Sequence, residues 1–171
     1  MWSGDSRASA GVAIIPVTQR IHLRRDSAFL IPGRLIAITA TFDSSPVRLV
    51  NVYAPSESHA SRTEWWTLLS QHAKAINPEA LPIILGDDLN EEHPCPALAT
   101  NLSIHGLLPR SSGYFSHVQK TRAGICRRKI DQFFATPTLH TSLAAPLDAP
   151  FDSDHAPIVI EVQAIVKLSG E

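Results

Sequence analysis

Ser153-Asp154-His155-Ala156-Pro157-Ile158 places a carboxylate and an imidazole side by side at the start of the apolar run 156–162. A strand is rigid, so its entrance can hold both groups in fixed positions for metal-assisted or acid/base chemistry. The pair alone is a weak signal, because adjacent Asp and His also arise in ordinary turns and only a complete site is diagnostic. Partners must come from elsewhere in the chain. The short apolar run Leu81-Pro82-Ile83-Ile84-Leu85 ends in Gly86-Asp87-Asp88-Leu89-Asn90-Glu91-Glu92, so four acids and an amide lie just past a buried strand. Crowded carboxylates repel one another and are stable facing water, a cation or basic groups. A polar turn capping the next segment is the alternative, since Asp and Asn favour turns for local reasons. A third acid-bearing strand follows in Lys129-Ile130-Asp131-Gln132-Phe133-Phe134-Ala135, with Asp131 at its start.

The elements that must carry these groups are mostly strands. Residues 11–17 and 34–42 are β-type runs, and the turn signal Asp43-Ser44-Ser45-Pro46 joins the second to another strand, 47–53, as a hairpin. Within 47–53 apolar residues fill both faces except at Arg48 and Asn51, which predicts a strand enclosed in the fold. Tyr53 sits at its exit. Ser61-Arg62-Thr63-Glu64 has capping-box spacing, and Trp65, Leu68, Leu69 and Ile76 follow at helical intervals until Asn77-Pro78. This is one amphipathic helix, with Trp65 and Trp66 as core anchors. Residues 101–112 read as at most a short helix, and 156–162 as the last strand. Thirteen prolines spread through the chain indicate many connections between short strands.

With 171 residues, 44% hydrophobic content and a formal charge of −1, the chain is sized for one globular domain. No stretch approaches the ~20 apolar residues of a membrane span, and the first residues lack a signal-peptide layout, so an intracellular protein is expected. Cys95 and Cys126 lack CxxC spacing and read as free thiols, not a disulfide or zinc framework. The near-zero charge hides two basic clusters. Arg20, His22, Arg24 and Arg25 form one, and Lys120, Arg122, Arg127, Arg128 and Lys129 the other. Each can meet phosphate, or can be a solvated loop that needs its charges for solubility.

The polar residues at strand ends form an ordered series: Asn51 and Tyr53, Asp88 and Asn90, Asp131, then Asp154 and His155. This series resembles the endonuclease/exonuclease/phosphatase superfamily, most closely the apurinic-endonuclease-like domain of non-LTR retrotransposons. Asn51-Val52-Tyr53-Ala54-Pro55 resembles that family's Tyr-x-Pro segment. Gly86-Asp87-Asp88-Leu89-Asn90 resembles its Gly-Gly-Asp-Phe-Asn motif, with Asp87 where a second glycine is usual. Arg128-Lys129-Ile130-Asp131 resembles Ser-Arg-Ile-Asp, and Ser153-Asp154-His155-Ala156-Pro157-Ile158 matches the closing Ser-Asp-His-x-Pro-Ile. Each motif is weak alone, but the set in order, from about residue 11 to 162, is specific.

The resemblance implies an α+β fold, a two-layer β-sandwich flanked by helices (DNase I-like), with the site at one end of the sheets. It implies roles as well. Asp88 orients or deprotonates an attacking water, and Asn90 keeps that carboxylate and the phosphate in register. His155 contacts a non-bridging phosphate oxygen, Asp131 orients His155 and raises its pKa, and Tyr53 donates its phenol to the phosphate. Asp154 helps bind Mg²⁺ (or Mn²⁺), because an oxygen-rich site without Cys or clustered His suits a hard cation. Asn51 and the run Lys120, Arg122, Arg127, Arg128 and Lys129 then contact DNA. The family's early strands, which carry an asparagine and a metal-binding glutamate, have no match in residues 1–10, so the chain is expected to be N-terminally truncated. The expected layout is a tail at 1–10, a partial domain at 11–165 and a tail at 166–171. Lys129 replaces an arginine and loses its planar fork. DNA endonuclease activity is the leading expectation. A phosphatase of the same superfamily and a non-catalytic nucleic-acid-binding remnant stay open, and the resemblance alone suggests the nucleus.

Overall fold

A computed structural model of the chain describes residues 2–4, 11–42, 44–110, 115–143, 147 and 153–163. The strands are β1 (Trp2–Gly4), β2 (Gly11–Ala13), β3 (Ile21–Ile31), β4 (Leu35–Phe42), β5 (Ser45–Val52), β6 (Ile83–Asp88), β7 (Leu108–Pro109), β8 (His117–Thr121), β9 (Gly124–Arg128), β10 (Asp131–Ala135), β11 (His140–Leu143) and β12 (Ile160–Gln163). Helices α1 (His59–Gln71) and α2 (Ala73–Ile76) connect β5 to β6, and α3 (Pro96–Ile104) follows β6.

The main sheet has six strands in the order β3-β4-β5-β6-β10-β7. Alternation along its strands divides the core in two. Leu35, Ala37, Val50, Val52, Ile83, Leu85 and Phe134 face α1 and α3, where they meet Trp66, Leu69, Leu98 and Leu102. On the opposite face, Val47, Ile84 and Ala135 meet Ile160 and Val162 of β12, and Ile36 and Ile38 meet Val12 of β2. The expected architecture is thus present: strands layered on one side of a sheet and helices on the other.

The predicted β4–β5 hairpin forms, with register from Leu35↔Val52 to Phe42↔Ser45. Helix α1 begins three residues before the predicted capping box, because Ser58 Oγ accepts the Ser61 N–H at 3.1 Å and so satisfies a first-turn donor. Trp65, Trp66 and Leu69 are buried as anchors, whereas Leu68 is 39% exposed. The predicted single helix breaks at His72, and Asn77 closes the turn into β6 by bonding both the N–H and the C=O of Leu81. Three parts of the chain depart further from expectation. Trp2–Gly4, inside the expected tail, pairs with Gly11–Ala13, where the edge of β2 offers unpaired backbone groups. His22, Arg24 and Arg25 of the first basic run lie on β3, a long strand that the charges concealed. The second basic run forms a two-stranded ribbon, β8–β9, instead of a loop.

Arg48 is fully buried in β5, yet it has no carboxylate in direct contact. Its Nε donates to Ile76 O at 2.5 Å, at the end of α2, and its Nη1 donates to Ser27 O at 2.6 Å and Thr39 Oγ1 at 3.3 Å. Ser27 lies in the register shift of β3 between Arg24 and Phe29, so one guanidinium satisfies carbonyls that the bulge and the helix end leave over.

Gly86 shows why β6 needs a glycine ahead of its acids. A Cβ at this position would overlap the Phe133 ring of β10. Gly86→Ala should therefore lower stability by about 1–3 kcal/mol, the usual cost of overpacking. Urea unfolding would measure it, and an unchanged midpoint would rule out the packing explanation.

Candidate active site

Strand register gathers the acids. Because β5 and β6 run parallel with Asn51 opposite Gly86, and β10 runs antiparallel with Asp131 opposite Asp88, all three strands bring polar residues to one end of the sheet. The basic run on β3 lies toward the other end, with Arg24 aligned through Thr39 to Arg48, and Arg24 is occupied by Glu79 at 3.1 Å and Asp26 at 3.8 Å. That run therefore stands apart from the acids.

Asp88 and Asp131 are joined by His155. Its Nδ1 stands 3.0 and 3.1 Å from the two carboxylate oxygens of Asp131, which is itself buried. This hydrogen bond is the main reason the His155 pKa is raised, with the charges of Asp131, Asp88 and Asp154 adding to it and burial opposing it. The imidazole is thereby biased toward the cation. Burial raises the pKa of Asp88, and the Asn90 backbone N–H, which donates to Asp88 Oδ1 at 2.9 Å, resists the rise. The Asn90 side chain does something else: its Nδ2 donates to Ala54 O at 2.9 Å and fastens the loop to the exit of β5. Its main chain, at φ 51°, is what holds the Asp88 carboxylate. Glu91 next door is gripped by Arg62 of α1 at 2.8 Å, and its carbonyl accepts from Gln132 of β10 at 2.5 Å.

Asp87 occupies the unusual position of the motif. Its φ of 108° lies where glycine is favoured and a side chain costs about 1–3 kcal/mol. Burial, then the charges of Asp131 and Asp88, push its carboxyl up to about 6, against a hydrogen bond from Asn51. Asn51 also donates Nδ2 to Ala13 O at 3.0 Å, and its Oδ1 is buried without a hydrogen-bond partner. Asn51, Asp87, Asp131 and His155 line the polar rim of a cleft of about 620 Å³, whose depth is apolar through Phe42, Leu49, Ile84, Phe133 and Ile160.

Tyr53 lies just past β5, with the Arg34 guanidinium 4.8 Å from its ring centroid. Asp154 is 55% exposed at its side chain, and its Oδ2 stands 3.3 Å from Nε2 of His117. Lys120, Arg122 and Arg127 are exposed on the β8–β9 ribbon, whereas Arg128 and Lys129 are half-buried at its root. There the Lys129 ammonium lies 5.4 Å from the Phe115 ring centroid. The root is stitched to the site: Ser116 Oγ accepts the Asp131 N–H at 2.9 Å, and the Ser116 carbonyl accepts the Ala156 N–H at 2.7 Å. Sequence reasoning passed over His117, Asp87 and Gln132. Gly124 between two polar stretches was the available sign of a ribbon that would aim His117 at Asp154.

Two overlapping sets bring a ligand atom of each residue within 4.8 Å of the others: Asp88, Asp131 and His155, and His117, Asp154 and His155. The carboxylates and the orphaned Asn51 oxygen fit a hard divalent cation at this end of the sheet.

No protein-family model and no curated protein matches the sequence. Solved structures do match in fold. The endonuclease domain of TRAS1, a telomere-specific non-LTR retrotransposon, superposes with a TM-score of 0.64 at 13% identity, over 85% of this chain and 69% of that one. D. rerio TDP2 in complex with a single-strand DNA product gives 0.59 at 18% identity, over 85% and 69%. A Bacteroides thetaiotaomicron mannosyl-6-phosphatase gives 0.57 at 16% identity over 76% of this chain, which spans 57% of that protein's length. The chain shares the α+β, DNase I-like fold of these structures, as the motif series indicated. Among the described residues, no helix is long and apolar enough to cross a membrane.

Two outcomes test the electrostatics. Asp131→Asn should lower the His155 pKa, seen as a downward shift in the pH titration of its ring protons by NMR; an unmoved midpoint would remove Asp131 as the cause. For Asp87, the folded pKa of about 6 exceeds the ordinary 3.8, so the folded state binds its proton more tightly. The stabilisation is complete below about 4 and is lost as pH rises through about 6, with roughly 3 kcal/mol at stake. Asp87→Gly removes both this dependence and the strain. In EDTA it should gain stability relative to wild type as pH rises from 4 to 7.

Proposed function

We propose that this chain is a divalent-metal-dependent phosphodiesterase acting on DNA as an endonuclease. The observation that carries the reading is the Asp131–His155 hydrogen bond placed directly beside Asp88, in register across β6 and β10. Phosphodiester hydrolysis needs a positioned water, a cationic or hydrogen-bonding sink for charge on the phosphorane, and relief for the leaving oxygen.

In this reading Asp88 takes the proton of the attacking water. Its buried, proton-holding environment suits a base more than a bare surface carboxylate would. The Asn90 main chain keeps that carboxylate aimed, and the Asn90 side chain locks the loop beneath it. His155, biased toward the imidazolium by Asp131, presents its other ring nitrogen to a non-bridging phosphate oxygen. Tyr53 donates its phenol to the same phosphate from the exit of β5. Asp154 would help hold Mg²⁺ or Mn²⁺, which when bound supplies charge neutralisation at the phosphate and leaving oxygen. Lys120, Arg122 and Arg127 offer an exposed cationic ribbon able to meet phosphates, with Arg128 and Lys129 at its root. That ribbon favours a polymer over a small phosphoester.

Purified protein with Mg²⁺ should convert supercoiled plasmid to the nicked form. EDTA should abolish the nicking, and His155→Ala should slow it by at least about 100-fold, as expected for loss of a charge-stabilising donor. Inorganic phosphate released from soluble phosphomonoesters without nicking would select a phosphatase. Salt-sensitive DNA binding without any hydrolysis would select a non-catalytic binding module. Neutralising Lys120, Arg122 and Arg127 together should weaken DNA binding across all sequences and flatten its salt dependence by about three units of log–log slope.

A further inference from the structure

We propose that His117, Asp154 and His155 form a nitrogen-rich site for a transition-metal dication of the Zn²⁺ class. The sequence pointed to an oxygen-rich site, because no histidines cluster along the chain. Folding reverses that. His117 and His155 face each other as an isolated antiparallel bridge, with ring centroids 4.8 Å apart in an edge-on arrangement. The two backbone stretches are fixed by Val118 N–H to Asp154 O and Ala156 N–H to Ser116 O, both 2.7 Å, so three potential ligands are held on paired, rigid chain.

The donor geometry suits a tetrahedral ion. A metal bound at 2.0–2.1 Å separates adjacent tetrahedral ligands by about 3.3 Å, and the His117 Nε2 to Asp154 Oδ2 distance is 3.3 Å. A ligand atom of His155 lies within 4.8 Å of both partners. Asp131 occupies Nδ1 of His155, so this ring would ligate through Nε2, and a carboxylate behind a histidine is the outer-shell support that zinc sites use. Two imidazoles and one carboxylate make a donor set for Zn²⁺, Co²⁺ or Ni²⁺ more than for Mg²⁺, which prefers oxygen. The fourth position stays open to water, since the Asp154 side chain is 55% exposed.

One feature limits the affinity. Nδ1 of His117 is buried without a partner, and it must carry the proton when Nε2 binds a metal. The site therefore binds more weakly than a four-ligand structural zinc centre, and exchangeably. Where the phosphodiesterase reading holds, the two uses of His155 and of Asp154 exclude each other, and a zinc-class ion blocks the phosphate contact and displaces the hard cation from Asp154. The metal site itself does not depend on that reading.

The test uses the full chain stripped with EDTA, without DNA. Zn²⁺ titration by calorimetry should show one site that excess Mg²⁺ does not displace, and Co²⁺ should give the strong visible absorption of tetrahedral coordination. His117→Gln and Asp154→Asn should each weaken binding by at least about 10-fold, and Asp131→Asn by about 10- to 100-fold, the range for loss of an outer-shell partner. Asp154 is exposed enough that its variant should keep the wild-type circular dichroism and melting curve even if His117→Gln does not fold. Absent binding, a weak octahedral cobalt spectrum, or unaltered affinity in folded Asp154→Asn would overturn the proposal. Intact Zn²⁺ binding in a protein that never nicks DNA would overturn the nuclease reading and leave the metal site standing.

Discussion

Asp88 and Asp131 stand directly opposite each other on neighbouring antiparallel strands. Like charges in that relation are unfavourable, and Asp87 beside them adds a third carboxyl. A sheet end built this way needs positive charge nearby or must keep protons. Both responses are visible: His155 is pushed toward its cation, and Asp87 and Asp88 hold their protons to higher pH than usual. The local destabilisation is offset by a core on each face of the sheet, by Gly86 closing against Phe133, and by Arg62 and Gln132 clamping the loop that follows. The arrangement thus favours positive charge held against these carboxylates.

The backbone bears part of that load. Within four residues, Asp87 and Asn90 both adopt positive φ, and the motif retains just one glycine, at Gly86, where packing demands it. Asn is among the residues that tolerate this conformation, and here a long-range bond to Ala54 holds it. Asp87 has no such ease. Its conformation persists because the strand on either side and the Asn51 contact hold it in place, a cost of the kind that gathers at functional sites.

Much of this was legible in the sequence, for a physical reason. Short apolar runs ending in acids mark strand ends, and strand ends are where a sheet can display charge, so Asp88 and Asp131 could be placed without coordinates, whereas the strand expected at 156–162 begins only at Ile160 and leaves His155 on an isolated bridge. Asn90 was named for the right loop, although its backbone and not its amide holds the carboxylate. What stayed hidden depended on pairing between distant segments. His117 lies 37 residues before Asp154, in a polar stretch without apolar alternation, and only the ribbon turn at Gly124 brings it into line. Arg48 read as an interruption in an apolar strand, because nothing local announces a bulge carbonyl and a helix end waiting on either side. Likewise β3 was masked by its own charges, which an edge strand can carry on its open side.

The β8–β9 ribbon is held at one end and carries Lys120 and Arg122 toward the other. Its root is fixed by Ser116 to Asp131 and to Ala156, and by Val118 to Asp154, through hydrogen bonds of 2.7 to 2.9 Å. Mechanically it is a cantilever whose anchor points are Asp154, Ala156 and Asp131, around His155. Any ligand that grips the exposed tip pulls on the backbone of His155 and on the amide of Asp131 at once. Capture and alignment would therefore share one lever arm, and length added or removed between Thr121 and Gly124 would change the leverage without altering a single group at the site.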